Sequence, residues 1–217
     1  MNLLSLDEGV RSILGRKPEK IVLDTLRKYL EILLKWQSTA RLVGSSDPAW
    51  IVENIVLDSL LFAKVLPIDV GRVLDLGSGA GVPGIPLAIA LPDLEMTLVE
   101  SRHRRASFLA QAVRELALSR TRVVRERLTA ASTPSRLVGA FDAVVMRCAG
   151  DVSAVVPLAL ALIKRGGVVV ASGPPKVHTI SSGHWVTVPG VRPGTTRRFV
   201  VITNDPQAGT TAWPAVT

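Results

Sequence analysis

Apolar residues recur along this chain in two rhythms, and the change falls near residue 70. Through residues 1–67 they keep helical spacing: Ile21, Leu26, Leu30, Leu33 and Leu34 fall on one stripe, as a helix packed on a core requires. Pro18 is placed to start that helix. Ser45-Ser46-Asp47-Pro48 is a break, at which Asp47 or Ser46 caps a new helix over 49–65 that ends before Pro67. From Gly71 onward, short apolar runs alternate with helical stretches. The pattern predicts strands over 73–76, 96–99, 123–124, 141–146 and 168–171, with helices over 83–91, 104–118 and 152–163. Strands alternating with helices predict a parallel sheet covered on both faces. After Gly173 the helical signal stops; 184–188 and 197–202 read as an antiparallel hairpin closing the sheet edge, and 203–217 as a frayed tail. The predicted class is α/β: a sheet domain over residues 71–217 behind an N-terminal helical extension over residues 1–70.

Composition narrows the chemistry. The 217 residues include one cysteine, Cys148, and three histidines, His103, His178 and His184, so no disulfide framework, cysteine-rich zinc site or other metal centre is expected. The longest apolar run, 152–163, is interrupted by Pro157 and bounded by Asp151 and Lys164, too short for a membrane span. Residues 1–7 carry no basic segment of the signal-peptide type. The expectation is a cytoplasmic protein with no membrane partner. Lys and Arg number 26 against 18 Asp and Glu, a net charge of +8. Eight of the arginines (Arg102, Arg104, Arg105, Arg114, Arg120, Arg122, Arg125 and Arg127) lie within 26 residues. Such a patch fits a polyanionic partner, since phosphate contacts supply most nucleic-acid affinity; it equally fits a solvated arginine-rich surface.

The strongest local signal is the run from Val73 to Gly84, Val-Leu-Asp-Leu-Gly-Ser-Gly-Ala-Gly-Val-Pro-Gly. A strand delivers the chain to a turn of glycines and a helix starts at Pro83, so backbone can approach a ligand closely. Gly79-x-Gly81-x-x-Gly84 matches the dinucleotide fingerprint. Asp75, two residues before Gly77, speaks otherwise: a carboxylate pointing into that crevice opposes a phosphate and suits an ammonium. This run resembles motif I of class I S-adenosyl-L-methionine-dependent methyltransferases, a Rossmann-like fold. Glu100 ends the second strand, where a carboxylate accepts ribose hydroxyls of either cofactor or caps the following helix.

The fuller run Asp75-Leu76-Gly77-Ser78-Gly79-Ala80-Gly81-Val82-Pro83-Gly84-Ile85-Pro86-Leu87 resembles the signature of bacterial small-subunit (16S) rRNA guanine-N7 methyltransferases, the glucose-inhibited division B family. Leu34-Lys35-Trp36, Leu57-Asp58-Ser59-Leu60, Glu100-Ser101 before Arg104-Arg105 and Phe108-Leu109, Phe141-Asp142, and Met146-Arg147-Cys148-Ala149 agree with that family in order and spacing over about residues 30–173. The resemblance implies S-adenosylmethionine as cofactor. It implies cofactor contacts at Gly77, Val82, Leu128, Thr129 and Arg147, with Leu128 and Thr129 flanking adenine; the glycine-loop reading adds Asp75, Gly79 and Glu100. It also implies ribosomal RNA or the small ribosomal subunit as partner of a monomeric enzyme. The chain departs from the family at Ile55, Thr129 and Ser172. Guanine N7 carries a lone pair and no proton, so alignment and electrostatics suffice, in keeping with a sequence that shows no obvious His/Asp or Cys/His pair. Arg147, at the end of the fourth strand, is the candidate catalytic residue: it holds guanine, the cofactor carboxylate or the RNA backbone, or else pairs structurally with Asp75 or Asp142. Cys148 reads as a small buried hydrophobe and His178 and His184 as solvated loop residues. Trp36 and Trp50 read as helix packing, while Trp213 lies in the tail. A small-molecule methyltransferase on the same fold, a non-catalytic nucleic-acid-binding protein and a nicotinamide oxidoreductase are the alternatives; Asp75 speaks against the last.

Overall fold

The computed structural model describes residues 5–129, 131–147, 155–172 and 183–204. Seven strands form one sheet: β1 (Arg72–Leu76), β2 (Glu95–Val99), β3 (Thr121–Val124), β4 (Phe141–Arg147), β5 (Ile163–Ser172), β6 (His184–Pro189) and β7 (Thr196–Thr203). They are ordered β3-β2-β1-β4-β5-β7-β6. β1 to β5 run parallel, while β7 is antiparallel to both β5 and β6. The predicted hairpin is therefore present, with its second strand lying inside its first. Strand order reverses at β1 and β4, the place where open α/β sheets bind ligands beyond their carboxyl ends.

Before the sheet come α1 (Leu6–Leu14), α2 (Lys20–Ala40) and an unbroken helical run of changing pitch: α3 (Pro48–Ile51), a π-helical stretch (Val52–Leu57), α4 (Asp58–Leu60) and a 3₁₀ turn (Leu61–Lys64). Ser5 and Glu8 form a reciprocal capping box on α1. Asp47 caps the later run as predicted, accepting the Ala49 N–H at 3.1 Å with Pro48 in the first turn. α2 starts at Lys20 rather than Pro18. Between strands lie α5 (Gly84–Ala90), α6 (His103–Glu115) and α7 (Val156–Leu162). α6 stops short of the predicted limit because the chain turns at Ala117, which takes φ +52°. Ile163 pairs with Phe141 as the first residue of β5, not as the last of a helix. The start of that predicted helix, 152–154, and the predicted tail beyond 204 lie outside the described residues.

Successive strand residues face opposite ways, and two apolar layers result. One packs Val73, Leu98, Val145, Val170 and Phe199 beneath α1, α2, the helical run, α5 and α6; the other packs Leu74, Val144 and Val169 beneath α7. The N-terminal helices thus share a core with the sheet. By the same alternation Asp75 and Arg147 sit on the α2 face, in line with Val73 and with Val145. Among the described residues no helix is long and apolar enough to cross a membrane.

Candidate active site

Glycine geometry builds the loop after β1. Gly77, Gly79 and Gly81 all take positive φ, between +56° and +83°, which other residues rarely adopt. The turn is strapped to β2: the Gly77 and Ser78 N–H groups donate to the Val99 carbonyl at 3.0 and 2.9 Å. It closes on itself where the Gly81 and Val82 N–H groups donate to the Ser78 carbonyl at 2.7 and 3.0 Å. At Gly77 a Cβ would meet nothing within 4 Å, so the outer side of the loop is open. At Gly81 and Gly84 it would strike Ile85 and Leu98, so those glycines serve close packing of α5. Glu100, 6% exposed, accepts the Gly79 N–H at 3.1 Å and the Arg102 N–H at 2.8 Å. It thereby ties the loop to the turn that leads into α6. Each carboxylate oxygen keeps a lone pair for a further donor.

Asp75 corrects one expectation. Its carboxylate does not line an open crevice: it is fully buried, packed under Gly84, whose N–H donates to Oδ2 at 3.0 Å. Oδ1 has no hydrogen-bond partner among the described residues. Burial pushes the carboxyl up to about 7. Tyr29 of α2, also fully buried, donates its hydroxyl to the Ala80 carbonyl of the loop at 2.7 Å. Burial and the nearby Asp75 push its phenol up, against the pull of Arg147.

Arg147 does not make the structural pairing that is the alternative to a catalytic role. It pairs with neither Asp75 nor Asp142; its Nη2 lies 3.4 Å from Asp58 Oδ2. Asp142 instead accepts the Gly71 and Arg72 N–H groups at 2.9 and 2.6 Å and pairs with Lys164. Although burial raises it, those contacts hold its carboxyl below the usual range. Asp58 is shared: Arg197 of β7 donates to Oδ2 at 3.3 Å, with Nε 3.1 Å from Oδ1. Burial lowers the Arg147 guanidinium against the opposing pull of Asp58, and its Nη1 has no hydrogen-bond acceptor among the described residues.

Leu128 packs against the α7-side layer, and exposed Thr129 shares a hydrogen bond of 2.7 Å with Ser132. Ile55 is a core residue and Ser172 is buried at the end of β5. The arginine cluster, contiguous in sequence, divides in space. Arg102, Arg104 and Arg105 stand at the start of α6, and Arg125 and Arg127 follow β3, all at the carboxyl edge. Arg114 and Arg120 lie at the opposite edge, where Arg120 pairs with Glu95 and Arg122 donates to Thr97. Trp36 packs in a helix interface as expected, edge-on to Phe108. Trp50 does not: it is 38% exposed. His184 begins β6 rather than lying in a loop. Cys148, His178 and Trp213 lie outside the described residues, among which no group of His, Cys, Asp and Glu is placed to hold a metal.

The family model of rRNA small subunit methyltransferase G (GidB) matches residues 22–173. The chain belongs to this family. A Ribosomal RNA small subunit methyltransferase G from Xanthomonas oryzae pv. oryzae is 34% identical over 206 residues, covering 88% of this chain and 94% of its own length. Its namesake from Sorangium cellulosum is 36% identical over 176 residues, 80% and 73% of the two chains. Among solved structures, a cofactor-bound protein from MTB matches with a TM-score of 0.58 at 16% identity, over 94% of this chain and 100% of that one. A predicted O-methyltransferase from Agrobacterium tumefaciens gives 0.53 at 25% identity, over 67% and 79%. The fold is thus the class I methyltransferase sheet, and GidB-family membership agrees with the glycine signature. Three residues at this site escape a reading of local sequence: Tyr29, Asp58 and Arg197. Asp58 alone left a trace, within the Leu57-Asp58-Ser59-Leu60 run that agrees with the family.

Proposed function

We infer that this GidB-family chain transfers a methyl group from S-adenosylmethionine to N7 of a guanine in 16S ribosomal RNA. The glycine loop at the sheet's switch point, with the orphaned Asp75 Oδ1 beneath it, is the observation that carries this reading. S-adenosylmethionine, when bound, supplies a methyl on a sulfonium and an ammonium on its amino-acid end. The residues present fit it. Asp75 Oδ1, buried without a donor among the described residues, suits the ammonium, because an unpaired buried carboxylate is costly. Gly77, Gly79 and Val82 form the cradle, open at Gly77, and Glu100 offers its remaining lone pairs to ribose hydroxyls. Leu128 and Thr129 flank the adenine.

Arg147 is the proposed catalytic residue. Its Nη1 donates to guanine O6, which leaves the N7 lone pair directed at the methyl. Asp58 holds the guanidinium in that pose, and no general base is required. Preorganised donors of this kind act more strongly in a water-poor site. The reading makes the protein a cytoplasmic monomer that meets ribosomal RNA or the small ribosomal subunit, with neither metal nor membrane. Tritiated methyl transfer to small subunits and to naked 16S RNA, followed by mapping of the modified nucleotide, tests it. Label at N7 of one guanine is expected; label on small molecules alone overturns it.

A further inference from the structure

A cleft of about 380 Å³ opens beside the Asp58–Arg197 pair, between the helical run after Pro48 and the turn joining β6 to β7. Its size lies within the ~300–1,000 Å³ of small-ligand pockets. The register puts it at the carboxyl edge of the sheet. Ser172, the last residue of β5, pairs with Phe199, so Thr196 and Arg197 project beyond that edge. Two carboxylate–guanidinium pairs join the walls. Arg192 grips Glu53 through Nε at 2.5 Å and Nη2 at 2.9 Å, and Arg197 meets Asp58. Asp58 therefore belongs both to this cleft and to the Arg147 site. At the cleft's far end stands Trp50, 38% exposed. Eight positions of the helical run separate it from Asp58, at most roughly 12 Å at the α-helical ~1.5 Å per residue. That is too far for a base held at Arg147 and suited to the next one along a strand.

We propose that this cleft is a second nucleotide subsite: it holds the unstacked base adjacent to the methylated guanine, stacked on Trp50, with the intervening phosphate on Arg192. The assignment rests on the RNA reading above. Sequence-specific RNA recognition relies on splayed single-stranded bases stacked on aromatic rings, and indole is the largest such platform. Arg192 is half exposed and uses two of its nitrogens on Glu53, which leaves Nη1 for a phosphate oxygen. The Asn54 amide nitrogen donates to the Trp50 carbonyl at 3.0 Å, so its oxygen stays available to a base edge.

Two measurements decide it. In methyl transfer to 16S RNA, Trp50→Ala and Trp50→Leu should raise KM for RNA roughly tenfold, as expected for one stacked base. kcat should change little, and affinity for S-adenosylhomocysteine and Tm should stay put, while Trp50→Phe should recover most of the loss. Independently, tryptophan fluorescence of the wild-type protein should be quenched on titration with a short single-stranded oligoribonucleotide, and Trp50→Leu should abolish that quenching. An active wild type whose KM is indifferent to both substitutions overturns the subsite. Quenching that persists in Trp50→Leu overturns it too, whatever the methyl-transfer result. A wild type that labels no ribosomal RNA while its Trp50-dependent quenching is intact overturns the RNA methyltransferase reading, and with it the neighbouring methylated guanine, but leaves Trp50 as the platform for a stacked RNA base.

Discussion

At Asp75, burial and ligand binding oppose one another. Its folded value of about 7 lies above the ordinary 3.8, so the folded protein binds more protons between those limits. The stability this group contributes is full below about pH 4 and is lost as pH rises towards 7. Asp75→Asn should therefore raise Tm at pH 8, leave it nearly unchanged at pH 4, and flatten the pH dependence between. A cationic ligand needs the ionised form. Calorimetry in buffers of different ionisation enthalpy should show S-adenosylhomocysteine binding more tightly at pH 8 than at pH 6, with proton release; pH-independent affinity would place the ammonium elsewhere. Arg147 separates from Asp75 by the same measurements. Since Asp58 keeps Arg197, Arg147→Ala strands no carboxylate and should melt within a few degrees of wild type. Turnover should nonetheless fall on the order of 10²-fold, the usual cost of losing one preorganised donor. Lysine should not restore it, lacking the planar fork.

Among the elements, the loop and α5 make opposite demands on their glycines. Gly84 packs so closely on Leu98 and Asp75 that a Cβ has no room; Gly84→Ala should cost about 1–3 kcal/mol by overpacking. Gly77 has room but φ +77°. Gly77→Ala should cost only about 1–2 kcal/mol of backbone strain while abolishing S-adenosylhomocysteine binding, because its methyl enters the cradle. Thermal melts paired with calorimetry distinguish the two. The loop was legible in sequence because its chemistry is local: a strand, three glycines at positive φ and a helix start within twelve residues. The strand–helix alternation was legible for the same reason. The Asp58–Arg197 contact was not, since it joins residues 139 apart, and neither was the Tyr29 hydroxyl on Ala80, 51 residues away. The exposure of Trp50 escaped for a related reason: helical spacing places it on the run, and only the β6–β7 turn decides what faces it.

Across the whole molecule, charge is arranged by edge rather than by sequence. α6 carries the chain from the carboxyl edge of the sheet to the amino edge, so the arginines of 102–127 divide between two ends. Arg102, Arg104, Arg105, Arg125 and Arg127 collect at the edge that holds the glycine loop, Arg147 and the Trp50 cleft. Arg105 reaches closest to the loop, with Nη1 3.7 Å from where a Gly79 Cβ would stand. Arg114 and Arg120 sit at the far edge, and Arg120 is offset by Glu95. If the net +8 acted only as a diffuse field, reversing any two exposed arginines would weaken RNA binding alike. Contact at one edge predicts asymmetry. Log affinity for single-stranded RNA should fall linearly with log salt, with a slope near −0.7 per phosphate neutralised. Arg102→Glu with Arg104→Glu should flatten that slope by about one to two phosphates' worth and leave S-adenosylhomocysteine affinity unchanged. Arg114→Glu with Arg120→Glu, the same change in net charge, should alter the slope little. Equal losses from the two pairs would mean that RNA is attracted by the protein's overall charge, not gripped at the edge where the sheet presents its site.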